Sequence, residues 1–436
     1  MTVKKLATST LGCKVNQYDT DSVITQFLAR GYKVVDFNEK ADVYLINTCT
    51  VTNLGDRKSR QMIRRAHKNN PLAKVVVMGC LAQMAPDEIL DIEGVDLIVG
   101  TDGRGQIVDK IESFNEADVD STVKDIFEVT EFEDLPTLDF SGRTRASLKI
   151  QDGCNQFCTY CRVPFARGRS RSRRPDSVLR QVERIVAEGY REIVLTGIHL
   201  GFYGKDLDSS ISLTEIVRDV TQVEGLLRLR IGSVEPNEFT DELIDLVANN
   251  PVLCRHVHLP LQSGSDAILS KMKRSYSRAE FLEVARKVKE AIPDVGLTTD
   301  IMVGFPGETE EDFQQTLDLM QEVGFSKIHV FKYSKREGTR AAKFTQQVPG
   351  NIKEIRSKRL IEKGNALALV FHQSFIGNEV EVLVEQVNNG QAMGHTDNYM
   401  RVAFDFESEV DPVGKIMKIR VQSADSHDLK GHLVSP

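Results

Sequence analysis

Three cysteines stand close together in the run Gly153-Cys154-Asn155-Gln156-Phe157-Cys158-Thr159-Tyr160-Cys161. Gaps of three and then two residues can turn three thiolates toward one centre. A fully protein-ligated [4Fe–4S] cluster takes four cysteines, so three leave one iron open. An open metal position is where chemistry can occur, and soft thiolates favour iron–sulfur over hard metals. Zinc would ask for paired CxxC units or histidines. The histidine nearest in sequence is His199.

Three more cysteines lie far apart, each in a short distinctive context. They are Thr10-Leu11-Gly12-Cys13-Lys14-Val15-Asn16-Gln17, Asn47-Thr48-Cys49-Thr50-Val51-Thr52-Asn53 and Met78-Gly79-Cys80-Leu81-Ala82-Gln83. Taken singly, each reads as a buried free thiol. Taken together they suggest a shared metal site, because each ends or follows a strand-like run. Gly12 and Gly79 would let the backbone approach a bulky group closely. The seventh cysteine, Cys254, has no partner pattern and reads as a buried structural thiol.

The elements that must position these groups follow from periodicity. Runs at 5–12, 43–48, 75–79 and 97–100 alternate with helical patterns from about 16 to 30 and from about 53, which predicts a parallel α/β sheet. Such sheets place ligands at the C-terminal strand edge, where Cys13, Cys49 and Cys80 would converge. Strand runs at 146–151, 192–196, 228–234, 256–262, 296–303 and 328–333, with helices such as 175–188 and 310–322 between them, predict a partial (β/α) barrel. A long helix is expected at 352–374. Runs at 379–384, 399–404 and 414–421 predict a small all-β barrel. The fold class is thus α/β with a terminal β-barrel. The expected domains are 1–112, 141–373 and 374–436, with an acidic linker or extended crossover at 113–140.

At 436 residues, about 150 per domain also gives about three domains. Hydrophobic residues make up 41% and charged residues 27%, ordinary globular usage. No stretch approaches the ~18 apolar residues of a membrane span and no signal peptide is evident, so a cytoplasmic protein without a membrane partner is expected. Seven cysteines in a reducing compartment point to metal or catalysis rather than disulfides. The net charge of −7 excludes a general polycation, so any RNA contact needs local basic patches.

The CxxxCxxC motif, with Tyr160 just before its last cysteine, resembles the signature of the radical S-adenosylmethionine (SAM) superfamily. The resemblance implies that SAM chelates the open iron and is cleaved to a 5′-deoxyadenosyl radical. The contexts of Cys13, Cys49 and Cys80 resemble the N-terminal domain of methylthiotransferases, and the C-terminal segment resembles a TRAM domain. The order of the three is that of the methylthiotransferase family. It implies two [4Fe–4S] clusters, held by Cys13, Cys49 and Cys80 and by Cys154, Cys158 and Cys161. One SAM would methylate a cluster-borne sulfur, and a second would give the radical that activates a substrate C–H bond. A reducing electron donor and a sulfur donor are also implied, and no motif names either.

Several loops are expected to contact SAM. Thr196 and Gly197 follow a strand, where the family often has a Gly-Gly-Glu-like segment. This chain has no acid there, so a backbone contact is expected. Ser233 and Glu235 end another strand; Glu235 reads equally as an acceptor for ribose or ammonium and as a solvated turn acid. Gln262 and Met302 sit in segments that resemble those lining the barrel mouth. His256 and His258 share a strand face and read as packing or hydrogen-bonding residues. The segment containing Tyr333, Arg336 and Gly338 also fits the family.

Two basic clusters flank the cysteine loops: Arg167, Arg169, Arg171, Arg173 and Arg174, and the helix bearing Arg57, Lys58, Arg60, Arg64, Arg65 and Lys68. A charge run is usually a solvated face. Flanking both loops, these two suggest a basic rim for a tRNA anticodon stem-loop, whose splayed bases an enzyme can reach. Three acceptors resemble what the family modifies: isopentenyladenosine, threonylcarbamoyladenosine and a ribosomal-protein aspartate. The phrases around Cys13, Cys49 and Cys154 most resemble the enzymes acting on threonylcarbamoyladenosine. A reading of another class is a non-catalytic iron–sulfur RNA-binding protein, against which the segments around Gly197, Gly264 and Gly304 argue.

Overall fold

The computed structural model describes residues 3–113, 120–137, 142–208, 211–407 and 410–434. Its first layer is a six-stranded parallel sheet. Val43–Thr48 is buried throughout, and Lys74–Gly79 nearly so. Continuous apolar runs of this kind mark strands covered on both faces. The helices Lys14–Ala29 and Asn53–Asn69 cover them. Short strands at Lys33–Val35 and Asp120–Ser121 extend the sheet beyond the four expected runs.

The central region has six parallel strands in two hydrogen-bonded groups, Arg145–Asp152, Glu192–Gly197 and Arg228–Ile231, then His256–His258, Gly296–Val303 and Lys327–Lys332. A parallel bridge from Leu229 to Leu253 joins the groups. This is the expected partial barrel, and its helices pack one large apolar core from Ala146 to Leu367. Two strands are shorter than their apolar runs suggested. The chain leaves the sheet after Ile231 and after His258, and Gln262 rejoins only through a bridge to Ile301.

The helix Gly350–Gln373 leads into a closed barrel of five strands, Glu379–Asn388, Gln391–Thr396, Arg401–Asp405, Ile416–Ala424 and Asp428–Leu433. Two of these were not legible as apolar runs, because only alternate residues face so small a core.

Of the linker expected at 113–140, residues 114–119 and 138–140 lie outside the described residues. The part at 122–137 is stitched down. The Tyr18 hydroxyl donates to the Leu135 carbonyl at 3.2 Å, Ser22 and Thr137 share a hydrogen bond at 2.5 Å, and Arg104 Nε donates to Glu133 at 2.7 Å. It is an extended strap across the first two domains. Among the described residues no helix is long and apolar enough to cross a membrane.

Candidate functional site: two cysteine triads at one interface

The N-terminal triad forms where three parallel strands end. Asn16 lies at its centre. Its Oδ1 is 3.8 Å from both Cys13 Sγ and Cys80 Sγ. Its Nδ2 donates to the carbonyls of Leu11 and Thr48 at 2.8 and 2.9 Å, tying the Cys13 loop to the Cys49 loop. Gly12, at φ 109°, lets Cys49 approach: a Cβ there would stand 3.2 Å from Cys49 Sγ. A side chain at Gly79, at φ 97°, would strike Asn47 and Thr48. Three thiols 36 and 31 residues apart in sequence are thus drawn around one amide.

The second triad sits on the loop after Arg145–Asp152. Gly153 adopts φ 73°, and a Cβ there would overlap the Arg169 carbonyl, so the turn into Cys154 requires glycine. Cys154 N donates to Gly168 O at 3.0 Å, and Thr159 N to Met272 O at 3.0 Å. The loop is therefore fixed at both ends.

Burial pushes the Cys80 thiol up to about 12, Cys154 up to about 11 and Cys161 up to about 12. Cys49 is raised for the same reason. Buried thiols stay protonated unless a nearby cation stabilises the thiolate, and metal binding releases those protons. No three Cys, His, Asp or Glu groups among the described residues are set to hold a single metal ion. A [4Fe–4S] cluster spreads its thiolates over separate irons, so both triads fit a cluster in their donor chemistry.

The loops that carry the two triads are linked by a buried ion network. Arg167 Nη2 donates to Asn16 Oδ1 at 2.7 Å and to Asp19 at 2.9 Å, while Nη1 donates to both Asp152 oxygens at 2.9 and 3.0 Å. Asp152 precedes Gly153 and Cys154. Lys149 joins both acids, at 2.6 Å to Asp19 and 3.1 Å to Asp152, and Arg104 lies 2.5 Å from Asp19. Burial alone would raise the Asp152 carboxyl, but Arg167, Lys149, Arg171 and Arg104 hold it well below the usual carboxylate range. Elsewhere along the seam Arg162 donates to Thr50 at 3.3 Å, and Arg336 donates to Thr50 at 2.9 Å and to Asp56 at 2.5 Å. Thr50, next to Cys49, thus touches Arg162, next to Cys161.

This changes the reading of the arginine run. Arg167, Arg171 and Arg173 are buried, and Arg173 bonds the Tyr18 hydroxyl and Asp134. Only Arg169 and Arg174 are exposed. The run is mainly a seam between domains rather than an open rim. On the helix Asn53–Asn69, by contrast, Arg57, Lys58, Arg64, Arg65 and Lys68 are exposed, and Arg60 reaches Glu88 at 2.6 Å.

His199, remote from the cysteines in sequence, lies with Nδ1 3.6 Å from Cys154 Sγ, and its Nε2 is 2.7 Å from Glu238. Glu238, from another loop, thus stands behind the histidine that faces Cys154. Gly197 itself is required by packing, since a Cβ would press on Gln151 and Leu200 at 2.8 Å. Thr196 is buried beside it, whereas Ser233 is exposed. Glu235 is neither a free acceptor nor a solvated turn acid. It pairs with Arg274, whose Nη1 is 3.4 Å from Cys158 Sγ and whose Nε bonds the Tyr276 hydroxyl at 3.1 Å. Sequence reasoning missed Arg274, which stands in no recognisable motif. Tyr160 and Met302 pack with Phe305 and Tyr333, and Gln262 holds φ 62°, with its N–H on Asp300 O at 2.8 Å. His256 and His258 both bond Thr298 Oγ1, at 3.0 and 2.8 Å, as expected of structural histidines. Cys254 is buried.

Comparison with known proteins agrees with this architecture. Residues 148–320 match the radical SAM superfamily, 5–100 the family described as uncharacterized protein family UPF0004, and 373–434 the TRAM domain. A threonylcarbamoyladenosine tRNA methylthiotransferase, MtaB, of Bacillus subtilis is 43% identical over 96% of this chain and 94% of its own length. MtaB of Aquifex aeolicus is 38% identical over 96% and 100%. A tRNA-2-methylthio-N(6)-dimethylallyladenosine synthase of Syntrophobacter fumaroxidans is 38% identical over 98% and 95%. Among solved structures, the radical SAM methyltransferase TsrM of Kitasatospora setae superposes with a TM-score of 0.55 at 17% identity, covering 75% of this chain and 73% of that one, a likeness of fold. Relatives matched almost end to end at this identity, on a scaffold that brings both cysteine triads together, place the chain in the radical SAM methylthiotransferase family.

Proposed function

We propose that this protein methylthiolates C2 of the threonylcarbamoyladenosine beside the anticodon of tRNA. The observation that carries the reading is the linking of the two triad-bearing loops through the Asn16–Arg167–Asp152 bridge. Family membership brings a [4Fe–4S] cluster and SAM; we assign them to Cys154, Cys158 and Cys161, and a second cluster to Cys13, Cys49 and Cys80. With both clusters bound, one SAM would supply the methyl group, a second would supply radical activation of the C–H bond, and the N-terminal cluster would deliver the sulfur.

The chain's own residues do the positioning. Arg167 and Arg274 set positive charge beside Cys80 and Cys158, which would favour their thiolates once a cluster is bound. Tyr160, Met302, Phe305 and Tyr333 form an apolar wall next to the Cys154–Cys161 loop, which excludes water from a radical centre. Thr196, Gly197, Ser233, Glu235 and Gln262 are assigned to the SAM side of the site, Glu235 by way of Arg274. The exposed cations of the helix Asn53–Asn69 suit phosphate contacts of an anticodon stem-loop. A cytoplasmic site of action follows from such a substrate.

The acceptor rests on MtaB relatives at 43% and 38% identity. The second reading, isopentenyladenosine, is favoured by the synthase at 38%. Mass spectrometry of tRNA nucleosides from a deletion strain separates them. Loss of the 2-methylthio derivative of threonylcarbamoyladenosine supports the proposal; its persistence, with loss of the isopentenyl product, selects the alternative.

A further inference from the structure

The inside of the central barrel holds cations for which the proposed chemistry has no use. The barrel strands begin at Arg145, Glu192, Arg228, His256, Gly296 and Lys327, so these residues ring its N-terminal end. A turn of the C-terminal β-barrel closes that end. Arg230 donates to the carbonyls of Asp397 and Thr396 at 2.7 and 3.2 Å, and Asn398 Nδ2 donates to Asp294 O at 3.1 Å. Gly296 is needed there, because a Cβ would overlap the Asn398 carbonyl. From this turn Tyr399, at φ 71°, sets its ring among four cations: Arg230 at 4.7 Å, Arg145 at 5.4 Å, and Lys14 and Lys327 at 6.0 Å each. A bulky residue in the left-handed region persists only where its surroundings hold it, and such residues cluster at ligand sites.

Two of the cations are already neutralised. Arg230 pairs with Glu192 at 3.0 Å, and Arg145 with Glu385 at 3.0 Å. Lys14 and Lys327 have no ion-pair partner among the described residues. A further acid, Asp300, lies 3.5 Å from His258. There is also room. Ile328 and Val330 pack outward on the main core, so Lys327, His329 and Phe331 face inward by strand alternation. All three are nonetheless exposed, as is Lys14.

We propose that this lumen is a carboxylate subsite, in which Lys14 pairs with the carboxylate of the adenosine's N6 substituent and Tyr399 and Lys327 complete its floor. The inference rests on the threonylcarbamoyladenosine reading and deepens it. Lys14 directly follows Cys13. Adenine C6, which bears N6, and C2 flank the same ring nitrogen, so a base whose C2 faces the Cys13 triad carries its N6 substituent close to Lys14. An isopentenyl tail has no charge to set against these cations, and burying them beside it would be unfavourable.

The test is fluorescence anisotropy with anticodon stem-loop RNAs bearing threonylcarbamoyladenosine, its methyl ester or unmodified adenosine. The holoenzyme should bind the acid at least about tenfold more tightly than the ester, on the scale of a charge-assisted hydrogen bond. Lys14→Met should reduce that preference to within about twofold, as expected when a single ion-pair partner is removed. Lys14→Arg should restore it, and Tyr399→Phe should weaken it partly. Unchanged binding of the unmodified RNA shows that each variant is folded. A Lys14→Met protein that keeps the full preference overturns the subsite and leaves the acceptor untouched. A wild-type enzyme that binds acid and ester alike, yet methylthiolates the threonylcarbamoyl RNA, overturns the subsite alone. One that methylthiolates only isopentenyladenosine RNA overturns the acceptor reading itself.

Discussion

Arg167 is the side chain on which the two halves of the site turn, since it touches Asn16, Asp19 and Asp152 at once. Removing one member of a buried ion group strands its partners and costs about 3–5 kcal/mol. Asp152→Asn and Arg167→Met should each lower stability by about that amount in chemical denaturation of the apo chain. Asp19 and Asp152 are both held below the usual carboxylate range. Their folded values lie below the unfolded one, so their contribution is complete above an unfolded value of about 3.9. It is lost as pH falls through that value toward the folded ones. Thermal unfolding of the apo chain followed downward from pH 6 should therefore steepen below about pH 4. Asp152→Asn should flatten that acid limb, and an unchanged limb would mean that the network does not set acid stability. Among the proposed ligands, Cys49→Ala should lower reconstituted iron from about eight to about four atoms per chain while leaving reductive SAM cleavage at the Cys154–Cys161 loop. Retention of the full iron content would exclude the N-terminal triad as a cluster site.

At the scale of elements, the helix Asn53–Asn69 carries the exposed charge and the loop after Arg145–Asp152 carries the geometry. Converting Arg57, Lys58 and Arg64 to Glu should weaken tRNA binding. It should also flatten the dependence of log K on log salt by roughly 0.7–0.9 for each phosphate that the helix no longer neutralises. Equal slopes for variant and wild type would take the helix out of the RNA interface. Gly153→Ala asks a Cβ to occupy the place of the Arg169 carbonyl at a left-handed φ. The expected outcome is loss of the absorbance and electron paramagnetic resonance signal of the Cys154–Cys161 cluster, with the N-terminal cluster kept. The ends of these elements were the hardest to read from residues alone. The run 256–262 reads as one strand through its alternation of Val257, Leu259 and Leu261, but the sheet releases it after His258, just ahead of Pro260. Periodicity records which residues can be buried, and neighbouring strands decide how far pairing continues.

Across the whole molecule, three domains divide the labour. The N-terminal sheet presents one triad, the barrel presents the other, and the C-terminal β-barrel closes the floor with Tyr399. The strap at 122–137 and the seam of Arg162, Arg167 and Arg336 hold the first two in register. Ordering of the cysteine loops, layer type and domain succession were legible from spacing and periodicity, because these are properties of neighbouring residues. The convergence of Cys13, Cys49 and Cys80 was legible too, since cysteines at successive strand ends share one edge of a parallel sheet. What the arginines between 167 and 174 do was not legible. A charge run looks the same whether it faces water or acids from another domain, and only the fold brought Asp19 and Asp134 against it. His199, Arg274 and Tyr399 likewise reach their places through long-range packing that leaves no local pattern. Local chemistry therefore came from the sequence, whereas the pairing of charges across domains was decided by tertiary structure, because partners distant along the chain become neighbours only when the layers close.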